Sequence, residues 1–171
     1  SYNTAVGTGA LYFTNASANT ATGSLALYSN TTGAYNSAYG TNSLYRIVGT
    51  GNSAFGYNSG INSISGNYNS IFGYNAMATY SGSNNTAIGT NTVVTADGIT
   101  NSTMLGNEAV ATASDQVRIG NSLVTSIGGQ VDWTTLSDGR FKKDIQDNVP
   151  GLSFIKKLKP VTYHKDVQGI Q

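Results

Sequence analysis

A serine and a lysine five residues apart, Ser137 and Lys142, are the pair whose types and spacing could do covalent chemistry in this chain. A serine hydroxyl becomes a nucleophile when a base removes its proton, and a lysine amine can be that base when desolvation lowers its pKa. Gly139 lies between the two residues, so a turn could bring Lys142 back to Ser137. The spacing alone favours a simpler alternative, in which Ser137 caps a turn and Lys142 is a solvated cation.

Other kinds of site are not supported by the composition. His164 is the only histidine and the chain has no cysteine, so we predict no metal site and no cofactor. Residues 1–120 contain three acids, Asp97, Glu108 and Asp115, which is too few for the paired carboxylates of a glycosidase. The net charge of +1 argues against nucleic-acid binding, and we expect no membrane insertion because no apolar run is long enough.

The elements that must position any site come from a short repeated phrase: Asn, then Ser or Thr, then usually Ala, a mostly apolar residue and Gly. Successive clear copies end at glycines 16 or 17 residues apart, and two weaker copies end at Gly106 and Gly120. A fixed short period is typical of a stacked repeat, in which each unit buries its apolar side chains only against its neighbours. The clear copies end at Gly7, Gly23, Gly40, Gly56, Gly73 and Gly89.

Each unit predicts two short extended runs joined by Asn- and Gly-rich turns, for example the run from Asn36 and the run from Thr41. Helix is disfavoured because glycine recurs too often. Side chains alternate along a strand, so the alanine points away from its two neighbours. We expect the large apolar residues inside the coil and the small ones on an outer face where three chains pack, at Ala5, Ala21, Ala38, Ala54 and Ala87.

The phrase resembles the head repeats of trimeric autotransporter adhesins of the YadA-like type, which are written N-S-V-A-I-G-x-x-S. NSAFGYNS at Asn52 and NTAIGTN at Asn85 are the closest matches, and the resemblance covers roughly residues 1–120. The repeats of this chain are longer than those of the family, which implies longer corners. The resemblance implies a left-handed parallel β-roll that forms a homotrimer.

Tyrosine is concentrated in the repeats, because ten of the eleven tyrosines lie in the first 80 positions. Several of them fall in corner segments among Ser, Gly and Asn, which is the composition of adaptable binding surfaces. One interpretation is contact with a carbohydrate receptor, and the other is that the rings cover the corners of the roll itself. The tyrosines in question include Tyr28, Tyr57, Tyr68 and Tyr74.

The character of the chain changes near Asn121. Seven of the nine Lys and Arg residues lie at or beyond Arg140, whereas residues 1–100 contain one basic residue and one acid. Leu152, Ile155 and Leu158 share one face of a predicted helix that Pro160 ends, and a strand is predicted over 161–163.

Residues 137–171 resemble the start of the endosialidase-type intramolecular chaperone domain of phage tail spikes, fibres and bacterial surface proteins. The resemblance implies that this segment aligns three chains of the preceding β-structure and then cuts the peptide bond between Leu136 and Ser137. It also implies that Ser137 is the nucleophile and Lys142 the base. The matching elements are Ser137-Asp138-x-Arg140-x-Lys142, Ile145, Gly151-Leu152, Ile155, Leu158, Pro160-Val161 and Tyr163.

We therefore expect an all-β homotrimer: a left-handed parallel β-roll over residues 1–121, a connector over 122–136 and a short α+β chaperone segment over 137–171. The expected function is that of an extracellular fibre or adhesin segment of a bacterial cell surface, part of a longer chain, that binds a glycan or surface-protein receptor. Its only expected enzymatic activity is a single-turnover Ser–Lys self-cleavage. Two alternatives stay open: a phage tail fibre or spike for host receptor binding, and the non-catalytic part of a polysaccharide-degrading spike.

Overall fold

The computed structural model of the chain describes residues 2–62, 65–79, 81–130, 151 and 155–159. The chain divides into two compact units, Ser1–Ile127 and Gly128–Gln171. In the second unit, residues 151 and 155 are helical and residues 156–157 form a turn. The strand predicted over 161–163 lies outside the described residues.

The first unit is a parallel β-solenoid. Its ten short strands are β1 (Thr4–Val6), β2 (Thr20–Thr22), β3 (Ser37–Tyr39), β4 (Ser53–Phe55), β5 (Ser70–Phe72), β6 (Thr86–Ile88), β7 (Val93–Val94), β8 (Thr103–Leu105), β9 (Val110–Ala111) and β10 (Val117–Ile119). Eight of them form one sheet in the order β1-β2-β3-β4-β5-β6-β8-β10, and β7 pairs with β9 in a second sheet. All pairings are parallel, with Ala38 beside Ala54 and Tyr39 beside Phe55. The predicted all-β parallel solenoid is confirmed, and the described residues of this unit contain no helix.

The corner after each glycine differs from the prediction. Residues 41–46 form consecutive turns rather than a second extended run. Asn42 and Leu44 have left-handed backbones, with φ of 56° and 49°. The ladder between coils nevertheless continues, because the Leu27 N–H donates to the Ser43 carbonyl at 3.0 Å and the Leu44 N–H donates to the Ser59 carbonyl at 2.9 Å. A second extended run occurs only in the later coils, as β7 and β9.

The direction predicted for the strand side chains was wrong. Ala21, Ala38, Ala54 and Ala87 are completely buried within a single chain, whereas Ala5 is exposed in the first strand. The coil is narrow at this point, since the Ser43 hydroxyl reaches the Ala54 carbonyl at 3.1 Å. The same interior column holds Ile71 and Met104 in two other coils, also fully buried, and the large residue that follows in each strand points outward. These alanines therefore pack the interior and do not form an outer face.

The first asparagine of the phrase forms a buried amide ladder. The Asn36 Oδ1 accepts the backbone N–H of Asn52 at 2.8 Å, and the Asn36 Nδ2 donates to the Gly49 carbonyl at 2.8 Å. The same two bonds recur from coil to coil and end where Ser102 replaces asparagine. A side chain at Gly49 would collide with the carbonyl of Gly66 in the next coil. The ladder and this close approach explain why Asn and Gly recur at fixed places.

Candidate functional site: the outer face of the sheet

The residues predicted to cut the chain cannot be placed. Leu136, Ser137 and Lys142 lie outside the described residues, so the self-cleavage site stays a prediction. The candidate site that the structure does describe is the outer face of the eight-stranded sheet.

One column of this face is apolar, and we call it the apolar column. Tyr39, Phe55 and Phe72 are each 38–39% exposed, although they are large and hydrophobic. Their rings stack nearly parallel, with centroids 4.6 Å apart between Tyr39 and Phe55 and 4.9 Å apart between Phe55 and Phe72. The stack is part of a continuous row, one residue per strand, that consists of Val6, Thr22, Tyr39, Phe55, Phe72, Ile88, Leu105 and Ile119.

A second column, which we call the hydroxyl column, runs beside the first. It is formed by the first residue of each strand, and seven of its eight members are Ser or Thr. Neither column contains a charged residue. The face therefore offers a regular, uncharged surface along the whole sheet. Its members are Thr4, Thr20, Ser37, Ser53, Ser70, Thr86, Thr103 and Val117.

The last strand changes the pattern at its centre. Arg118 pairs in register with Met104, at the position that alanine occupies in earlier coils. Met104 is fully buried, whereas Arg118 is exposed and donates to the Gln116 Oε1 at 3.2 Å. The interior column thus ends on a charged side chain, as expected for the capping unit of a solenoid.

The corner tyrosines form ladders of their own. Tyr28 stacks on Tyr12 at 5.4 Å and on Tyr45 at 5.2 Å, and Tyr57 stacks on Tyr74 at 5.4 Å. Tyr28 has a ring stacked on each of its faces, and Tyr57 and Tyr74 each cover one face of the other. Of the two interpretations left open by the sequence, this packing favours the one in which Tyr28, Tyr57 and Tyr74 cover the corners of the roll.

Tyr35 and Tyr68 behave differently from these ladders. Both have positive φ, and both are more than 60% exposed, although neither ring takes part in a stacked pair among the described residues. The sequence groups Tyr68 with the other corner tyrosines and does not single out Tyr35. The signal that could have found them is their position directly before the first asparagine of the phrase, where other coils carry Ala, Gly, Asn or Asp.

Comparison with known proteins identifies no relative: no family model, no curated protein and no solved structure matches the chain. Among the described residues, no helix has the length and hydropathy needed to cross a membrane.

Proposed function

We propose that this chain is a segment of a homotrimeric fibre or adhesin that is displayed outside a bacterial cell. The observation that carries the proposal is the apolar column, which is exposed in the single chain and runs the length of the sheet. Seven strand spacings of roughly 4.8 Å make the column about 34 Å long. A continuous exposed apolar surface of this kind marks an interaction site in a water-soluble protein.

The partner that fits this surface is another copy of the same chain. The column has the same spacing in every copy, so each side chain can pack beside its counterpart, with ring beside ring at Tyr39, Phe55 and Phe72. Burying an uncharged face also requires no desolvation of ions. Three copies around an axis, with left-handed coils, are what the resemblance to YadA-like heads implies. The packing surface is then the apolar column and not the alanine face expected from the sequence.

The test is the oligomeric state of the full chain, measured by light scattering during size-exclusion chromatography. We expect a particle of three times the 17.8 kDa chain mass. Phe55→Glu with Phe72→Glu should give folded monomers, because six carboxylates would be buried in the trimer. Tyr57→Glu is the matched control, since Tyr57 is similarly exposed but lies outside the sheet face. A wild-type chain that remains a compact monomer would refute the proposal.

The second unit has a separate proposed role in assembly and self-cleavage. The Ser137 hydroxyl attacks the Leu136 carbonyl carbon while Lys142 accepts the hydroxyl proton. The Leu136–Ser137 peptide bond breaks, its nitrogen takes up a proton, and an ester forms between Leu136 and the Ser137 oxygen. Water then hydrolyses the ester, which leaves a Leu136 carboxylate and a new N-terminus at Ser137. The support for this step is the residue pattern of the segment.

A further inference from the structure

We infer that Tyr35 and Tyr68 form a binding site for a neutral oligosaccharide along one corner of the solenoid. The inference deepens the proposed adhesive function and rests on it. It is carried by three features of one row of residues: backbone strain, an open ring surface and a straight run of polar groups.

The row is the residue directly before the first asparagine of each repeated phrase from the second copy on, or before the residue that replaces it, and we call it the corner row. Every one of its residues has a left-handed backbone, with φ between 54° and 73°. Gly, Asn and Asp adopt this conformation readily, but a bulky side chain there is a genuine outlier. The row consists of Ala18, Tyr35, Gly51, Tyr68, Asn84, Asn101 and Asp115.

The two tyrosines combine a left-handed backbone with largely exposed rings. Tyr35 is 70% exposed and Tyr68 is 63% exposed, so burial does not compensate for their φ of 59° and 56°. The neighbouring coil holds the Tyr68 backbone in place, because the Tyr68 N–H donates to the Thr50 carbonyl at 3.0 Å, and residues held in such conformations cluster at binding sites. The corner imposes this φ on every member of the row, so the choice of tyrosine with an exposed ring at two of these positions indicates a use outside the fold of the single chain.

The ring of Tyr68 packs against the backbone of Gly51 in the preceding coil. A Cβ at position 51 would lie 2.6 Å from the Tyr68 Cδ1 and 2.8 Å from the Cε1, so the ring rests against bare backbone. The Tyr12–Tyr28–Tyr45 ladder contrasts with this arrangement, because there neighbouring rings cover one another. Most of the Tyr68 ring stays open to an incoming ligand.

The spacing and polarity of the corner row fit an extended sugar chain. Tyr35 and Tyr68 are two coils apart, or about 9.6 Å at the usual strand spacing. The C–H groups of a pyranose ring carry partial positive charge and pack on the negative face of an aromatic ring. Beyond Tyr68 the row continues with the exposed Asn84, whose amide can bond to sugar hydroxyls, and with Asn101, whose Nδ2 donates to the Asp115 Oδ1 at 2.7 Å and whose Oδ1 can accept from a sugar hydroxyl. The row from Ala18 to Asn101 contains no charge, so a neutral sugar fits better than a sulfated or sialylated one.

The test uses the full chain with two neutral probes, a β-linked glucose tetrasaccharide and a β-linked galactose tetrasaccharide, in saturation-transfer NMR and calorimetry. We expect at least one probe to bind the wild type. Tyr35→Asn with Tyr68→Asn should weaken binding at least tenfold and also raise the melting temperature, because asparagine tolerates positive φ. Tyr74→Asn is the matched control: it breaks a stacked pair, so it should lower the melting temperature and leave sugar binding unchanged.

Two results would overturn the inference. One is the failure of both tetrasaccharides to bind the wild type, and the other is binding that survives in the double variant. The oligomeric state is measured on the same samples, which separates this inference from the proposed function. A trimer that binds neither sugar overturns only the sugar site, whereas a monomer that binds sugar overturns only the trimer.

Discussion

The Oδ1 of Asn36 accepts the backbone N–H of Asn52, 16 residues later, at 2.8 Å. The Asn52 Oδ1 then accepts the N–H of Asn69 at 3.0 Å, so each buried amide sets the position of the next coil. Because these side chains are removed from water, the register of the solenoid depends on bonds that water cannot replace.

Replacing one amide of this ladder should therefore be costly. Asn52→Ala leaves the buried Asn69 N–H and the Gly66 carbonyl without their present partners. We expect the free energy of unfolding to fall by about 3 kcal/mol, measured by urea denaturation. Asn58→Ala, in the partly exposed Asn42–Asn58–Asn75 row, should cost less than about 1 kcal/mol. Equal losses of unfolding free energy in the two variants would show that burial of the amide does not determine its contribution to stability.

Replacing Thr92 should stabilise the chain rather than destabilise it. Its Oγ1 is buried and makes no hydrogen bond within the described part of the chain. Thr92→Val keeps the shape and removes an unpaired polar atom, so we expect a gain of about 1 kcal/mol in the free energy of unfolding. The comparison is Ser43→Ala, which loses bonds to Ala54 and Ser59 and should destabilise the chain. Thermal unfolding of both variants decides the point, and a destabilised Thr92→Val would show that the hydroxyl has a partner after all.

An arginine at Ala38 distinguishes interior packing from packing between chains. Ala38 is fully enclosed by its own chain, so Ala38→Arg should unfold the coils around it by burying a charge without a partner. Circular dichroism should show loss of β-structure, and the protein should become sensitive to protease. Ser37→Arg, one residue earlier on the outer face, should keep the β-structure of the single chain. A folded, monomeric Ala38→Arg variant would restore the alanines as an interface.

Self-cleavage, where it occurs, should depend on both residues of the pair. Ser137→Ala should leave full-length chains because the nucleophile is gone, while the solenoid still forms. Lys142→Arg should also stop cleavage, because a guanidinium stays protonated and cannot accept a proton. Intact-mass analysis of aged wild type and both variants is the measurement. A new N-terminus at Ser137 that still appears in Lys142→Arg would exclude Lys142 as the base.

The repeat correctly predicts the parallel strands, including those of the weak copies. The reason is that one period of 16 or 17 residues makes one coil, so the strand of each phrase lies beside the strand of the next. The direction of the side chains could not be predicted in the same way. In a three-residue strand such as 37–39, the sequence is equally compatible with the middle residue facing the interior and with its two neighbours facing the interior. The opposite wall of the coil decides between the two, and that wall, which includes Ser43 and Leu44, lies outside the strand itself.

The left-handed backbone of the corners also could not be predicted from the sequence. Leu25, Leu27 and Leu44 adopt positive φ, although leucine has no intrinsic tendency to do so. Their N–H groups bond to carbonyls of adjacent coils, and Leu27 and Leu44 are fully buried. Tertiary bonds and burial therefore outweigh local preference at these corners, and neither is visible in a single repeat.

Arg118 has a consequence for how the solenoid behaves in a crowded solution. A parallel edge strand is a template on which further strands could add without limit, as they do in amyloid. Any strand that stacked on β10 with another coil behind it would trap the Arg118 guanidinium in an apolar interior. A single arginine, at the position that alanine occupies in earlier coils, thus protects this edge against uncontrolled addition of further strands.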